Sequence, residues 1–201
     1  VKTMPFFSKI KYNILGDKMK EDIINYIPLN EQEKSDKEVM LTYLENFDNC
    51  YTRDNILGHF TASCFIVNEN RDKVLMAYHN IYKSFAWLGG HADGNTNLLE
   101  VSIKEAREES SIKSLKILDN NIFSLDVIPV KGHIKRGKYI SAHMHLNVTY
   151  LFEASENDEL AIKEDENSDV QWLEIAKLDE LINEKDMLYY YHKFIDRMKK
   201  Y

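Results

Sequence analysis

The segment Gly89-Gly90-His91-Ala92-Asp93-Gly94-Asn95-Thr96-Asn97 leads, after seven residues, into Glu105-Ala106-Arg107-Glu108-Glu109-Ser110-Ser111-Ile112. Three glycines in the first six positions permit a tight loop with backbone angles that other residues avoid. Asn97 is a favoured helix N-cap, and Glu100 three positions on completes a capping-box pattern for a helix reaching about Glu109. Along that helix Glu105, Glu108 and Glu109 are spaced i, i+3 and i, i+4, so they project from one side within an arc of about 100°. Three like charges there cost a few tenths of a kcal/mol per pair, and a hard cation reverses the sign. Mg²⁺ suits such a group because it takes oxygen ligands and keeps several waters. Taken alone, the acidic run reads as a solvated helix face balanced by Lys104 and Arg107. The glycines directly upstream favour the metal reading.

The flanking sequence has strand texture. Residues 60–67 and 73–79 are rich in β-branched and aromatic side chains and are separated by a polar turn, which predicts a hairpin. Residues 122–127 and 170–175 are further strand candidates. Residues 143–152 alternate strictly, with Met144, Leu146, Val148, Tyr150 and Phe152 on one face and His143, His145, Asn147 and Thr149 on the other, as in a half-buried strand. Helices are expected at 176–183 and 186–199. At the other end, Met19, Ile23 and Ile27 suggest a helix stopped by Pro28. A second helix is signalled by Ser35 with Glu38, followed by Val39, Met40, Tyr43, Leu44 and Phe47 along one face. Residues 1–54 therefore read as an N-terminal helical extension and 55–201 as the domain that carries the glycine segment, the acidic helix and the C-terminal helix.

The 201 residues, 44% hydrophobic and 29% charged, suffice for one sizeable core. A net charge of -7 argues against binding a DNA or RNA duplex, which needs cationic surface. An acidic protein can still bind a nucleotide when a metal ion bridges the two negative partners. Cys50 and Cys64, without metal-type spacing, point to a reducing compartment, and Cys64 in its apolar run reads as a buried small hydrophobe. Val1–Ile10 lacks the apolar core of a signal peptide, and no run approaches the length of a membrane span. A soluble, cytoplasmic protein is expected.

The glycine segment and helix together resemble the Nudix box: Gly, five residues, Glu, seven residues, Arg-Glu, an aliphatic residue, any residue, Glu-Glu, any residue, Gly, aliphatic. Gly90 is the leading glycine, Glu105 the glutamate of the Arg-Glu pair, Glu108 and Glu109 the Glu-Glu pair, and Ile112 the closing aliphatic residue, all without gaps. Thr96, Lys104 and Ser111 depart from the pattern, replacing its first glutamate, its arginine and its last glycine. A weaker resemblance extends from about Gly58 to Leu181. It implies an α+β fold, a Nudix-like α/β/α sandwich with a mixed central sheet, plus the N-terminal extension.

The resemblance implies hydrolysis of a pyrophosphate bond in a nucleoside diphosphate linked to another moiety, ADP-ribose-like or a nucleotide sugar. Mg²⁺, with Mn²⁺ as the alternative, would be held by Glu105, Glu108, Glu109 and the Gly90 carbonyl. The general base would be Glu105, or an acid from the later acidic loop, Glu166 or Glu164. Candidate substrate contacts are His91, His143 and His145, and also Arg136 within the basic group Lys131, Lys135, Arg136 and Lys138, which a hairpin turn at 135–137 would expose. Phe85 and Trp87 could stack on a base, although packing in the core is the ordinary role of aromatics. The three departures leave a second reading, a Nudix-fold sensor or regulator that binds nucleotide with little turnover. The N-terminal helices offer a natural place for a homodimer contact.

Overall fold

The computed structural model describes residues 18–135, 137–162 and 167–201. Two helices come first, α1 (Lys18–Asn25) and α2 (Glu31–Asn46). Then follow β1 (Gly58–Val67), β2 (Lys73–His79), β3 (Ser84–Ala86), β4 (Leu88–His91) and α3 (Leu98–Ser110). The chain continues with β5 (Lys116–Ile117), β6 (Ser124–Val130), the hairpin β7 (His133–Lys135) and β8 (Lys138–Ile140), and β9 (His143–Glu153). It ends with β10 (Asn167–Glu174), a short α4 (Leu178–Leu181) and α5 (Lys185–Met198).

The main sheet has the backbone order β10-β2-β1-β9-β5, with β3 on β2, β4 on β1 and β6 on β9. It is mixed: β1 and β9 run parallel from Gly58↔Met144 to Val67↔Glu153, and the other pairs are antiparallel. The expected hairpin forms, with Ile66 opposite Leu75 and Val67 opposite Val74.

Alternation along β1 builds two apolar layers. Phe60, Ala62, Cys64 and Ile66 join Leu146, Val148, Tyr150 and Phe152 of β9 in a cluster closed by Leu98, Val101 and Ala106 of α3 and by Met19, Ile23 and Met40 of α1 and α2. Phe65 and Val67 point the other way, to Tyr191, Phe194 and Met198 of α5. The result is an α+β sandwich with helices on both faces of the sheet.

Three expectations change. The strand at 143–152 is central rather than half-buried: helices cover both faces, and every residue from Leu146 to Phe152 is buried. Its polar alternates are paired instead of solvated. Thr61 Oγ1 donates to Asn147 Oδ1 (2.9 Å), and Asn147 Nδ2 donates to Ser63 Oγ (2.9 Å) and Thr149 Oγ1 (3.0 Å). The second helix starts at Glu31, not at a Ser35–Glu38 box, because Asn30 is itself a cap whose Oδ1 accepts from the Glu33 amide at 2.9 Å. On its expected face Met40 is fully buried, whereas Val39 is exposed. The first helix stops at Asn25 and leaves Ile27 80% exposed, as the clash of a proline ring with the preceding residue's helical conformation explains.

Candidate functional site

Gly89 and Gly90 do not form a tight loop. They are extended in β4, opposite Ser63 and Ala62 of β1, and among the three glycines only Gly94 has a positive φ, +91°. They are glycines because neighbours approach closely. A Cβ on Gly89 would lie 2.5 Å from the Ala62 carbonyl oxygen, and one on Gly90 would lie 2.6 Å from the Glu105 carboxyl carbon. The turn itself falls at Asp93-Gly94, and Asp93 is locked there by Arg53, whose Nε and Nη2 donate to its two oxygens at 2.7 and 2.5 Å.

Helix α3 is capped by Asn97, whose Oδ1 accepts from the Glu100 amide at 3.3 Å. The return arm of the expected capping box is not made. The Glu100 carboxylate accepts from Asn95 Nδ2 (3.2 Å), and the Asn97 amide donates to Asn95 Oδ1 (2.9 Å). At the C-terminal end Ser111 takes the left-handed conformation, φ 59° and ψ 16°, that the glycine of the box would adopt without strain.

The three glutamates meet different surroundings. Glu105 lies beneath Gly90 with its side chain 12% exposed, and Lys104 Nζ is 3.3 Å away. Glu108 is more open, with Lys104 Nζ at 3.5 Å. Lys104, where the box has arginine, thus reaches both carboxylates. Glu109 is buried: its Oε2 accepts from the Gly89 amide (2.9 Å) and its Oε1 from Asn167 Nδ2 (3.1 Å). The field of these acids reaches Cys64, whose thiol is pushed well up by burial and further by Glu109 and Glu105, so it stays protonated.

On the opposite face four histidines converge. His59 is opposite His145 in the β1–β9 register, and His91 and His143 close the group. Ring centroids lie 5.1 Å apart for His59–His91, 5.0 Å for His59–His143, 5.3 Å for His59–His145 and 4.9 Å for His91–His145. Among the described residues, the group of three His, Cys, Asp or Glu whose ligand atoms all lie within 4.8 Å of one another is His59, His91 and His145. Burial, reinforced for His91 by Arg53 and for His145 by His91, depresses their pKa values to about 3 and about 2, so both rings are neutral.

The remaining expected contacts are scattered. Phe85 packs edge-on against Tyr78 (5.2 Å between ring centroids), and Trp87 stacks on Phe194 of α5 at 5.3 Å, within the core. Lys135 and Lys138 face each other across the β7–β8 turn, where the hairpin was expected. Arg136, Glu164 and Glu166 lie outside the described residues. Sequence reasoning missed His59 and Asn167. His59 carried a signal, a histidine alternating with Thr61 and Ser63 along a strand, but its partners depend on strand register.

The NUDIX domain family model matches residues 58–195. No curated protein matches the chain significantly. Solved structures with the same fold include a Caenorhabditis elegans Ap4A hydrolase in a binary complex, with a TM-score of 0.52 and 16% identity over 71% of this chain and 98% of that one. A NUDIX-family hydrolase from Clostridium perfringens has a TM-score of 0.51 and 22% identity over 70% and 97% of the two chains. The Escherichia coli dihydroneopterin triphosphate pyrophosphohydrolase gives 0.51 and 11% over 68% and 94%. At these identities the likeness speaks for the fold, and the family model matching more than half of the chain speaks for descent. With the box in register on α3 and the mixed sheet beneath it, the chain belongs to the NUDIX domain family.

Proposed function

We propose that the protein hydrolyses, with Mg²⁺, a pyrophosphate bond in a nucleoside diphosphate linked to another moiety, of the ADP-ribose or nucleotide-sugar kind. The observation that carries this reading is the Gly90–Glu105 approach, where the space a Cβ would need is taken by a carboxylate. The donor set fits the ion: the carboxylates of Glu105, Glu108 and Glu109 and the Gly90 carbonyl are all hard oxygens, suited to Mg²⁺ or Mn²⁺. Bound there, the ion would supply positive charge to phosphoryl oxygens and lower the pKa of a coordinated water.

The chain's own residues would do the rest. The Gly89 amide and Asn167 fix the plane of Glu109. Glu105 is the first candidate for general base, and its location in a largely covered niche suits proton transfer. Glu166 and Glu164 are the alternatives. Lys104 balances Glu105 and Glu108, which limits their repulsion before the ion arrives. Phe85, Arg136 and the histidine end of β4 and β9 (His91, His143, His145) are proposed on the substrate side. Residues 55–201 would form the catalytic domain and residues 1–54 its helical extension.

The test is product release from nucleotide sugars, dinucleotides, ADP-ribose and nucleoside triphosphates, with and without Mg²⁺. Metal-dependent cleavage of at least one diphosphate-linked compound is expected. Tight binding of one compound with no cleavage of any would replace this reading with the sensor.

A further inference from the structure

We propose that His59, His91 and His145 form a second metal site, chemically distinct from the glutamate site, that takes a borderline transition metal of the Zn²⁺ type, with His143 as a positioning residue. The site lies on the other face of the sheet. Gly90 faces Glu105 of α3, and the next residue along the strand, His91, faces His59 and His145. Imidazole nitrogens suit Zn²⁺, Cu²⁺ or Ni²⁺ and not Mg²⁺, so the two sites would select different ions.

Hydrogen bonds fix the tautomers of His59 and His145 as a metal ligand requires. His59 Nδ1 donates to the Asn55 carbonyl at 3.1 Å, which leaves the lone pair on Nε2. That Nε2 is buried and, among the described residues, has no hydrogen-bond partner, in a residue only 4% exposed. An orphaned buried acceptor is destabilising, and coordination would relieve it. His143 Nδ1 donates to the Ser141 carbonyl at 2.8 Å, so its Nε2 accepts from His145 Nε2 at 3.2 Å. His145 is then left with its lone pair on Nδ1 as the ligating atom. Orientation of a ligand histidine by a second hydrogen bond is the usual support of such sites.

Arg53 and Asp93 act on the cluster and are paired with each other; Arg53 weighs more than Asp93, and Lys135 adds to it at His91, so the imidazole lone pairs rather than net charge would draw the ion. Three imidazoles leave a fourth tetrahedral position for water or an anionic oxygen, the arrangement of open rather than purely structural zinc sites.

The full chain, stripped with chelator, would be titrated with cobalt(II) and with zinc(II), and bound metal measured by elemental analysis after gel filtration. An intense visible cobalt spectrum of tetrahedral type is expected, lost on adding zinc and retained in Glu108→Gln. His91→Asn and His59→Gln should each weaken zinc binding by at least ~100-fold, and His143→Ala by about 10–100-fold, the usual effect of removing an orienting partner. Circular dichroism would check folding; if buried His59→Gln does not fold, the partly exposed His91→Asn decides. A pale octahedral cobalt spectrum that survives the histidine substitutions, or one lost in Glu108→Gln, would overturn the proposal while leaving the glutamate site untouched.

Discussion

Gly90 and Gly89 stand side by side, yet a methyl group at each would meet a different obstacle. At Gly90 it runs into the end of the Glu105 side chain, which can swing aside at the expense of its position. Gly90→Ala should therefore fold but lose turnover by ~10-fold or more, as misplaced catalytic groups do. At Gly89 the obstacle is backbone, the Ala62 carbonyl and the Ser63 Cα, so Gly89→Ala should cost about 1–3 kcal/mol of stability, measurable by urea unfolding. Ser111 sits in the left-handed region, and Ser111→Gly should gain about 1 kcal/mol. The box glutamates could be read directly because helical spacing places them before any tertiary structure is known. Asn167 could not, since it meets Glu109 only through the pairing of β10 with β2.

Among the elements, α2, β6 and α5 are joined by a buried ionic group. Glu33 of α2 takes Arg197 Nη1 at 2.9 Å and Lys193 Nζ at 3.2 Å, both from α5, while Ser124 Oγ of β6 donates to it at 3.0 Å. Lys193 also pairs with Asp126 of β6. Removing one partner of a buried pair strands the other, so Glu33→Gln should cost roughly 3–5 kcal/mol near pH 7. Burial alone would raise the Glu33 carboxyl, but Lys193, the Leu29 amide, Tyr26 and Arg197 outweigh it and the net shift is downward. Its contribution is thus complete above the ordinary glutamate value of 4.5 and is lost as pH falls below it. The neighbouring Asp126 is shifted upward by burial, so the clean measurement is the difference between wild type and Glu33→Gln, which should shrink as pH drops below about 4.5. The strands β1, β2 and β9 were legible because period-two texture and a polar turn are local features. The start of α2 was misread because two cap signals stand five residues apart, and the polar face of β9 because a sequence does not show which strand ends up central.

Across the whole molecule, the family match begins at residue 58, yet α1 and α2 pack into the same core as β1, β9 and α3. A chain beginning after Asn46 would lose Met19, Ile23, Met40 and Glu33, exposing apolar surface and unpairing Arg197 and Lys193 from Glu33. Such a truncation should fail to give a cooperative thermal transition by circular dichroism. Among the described residues no helix is long and apolar enough to cross a membrane. The gathering of four histidines from β1, β4 and β9 follows only from their register and was out of reach of any local pattern. The most direct measurement is steady-state hydrolysis of the best diphosphate-linked compound by wild type, Glu108→Gln and Glu109→Gln, with Mg²⁺ and with chelator. Turnover should need the ion and fall at least ~10²-fold in each variant, as loss of a metal ligand would cause. Rates unchanged in both variants, or unaffected by the chelator, would contradict a catalytic metal held by these glutamates.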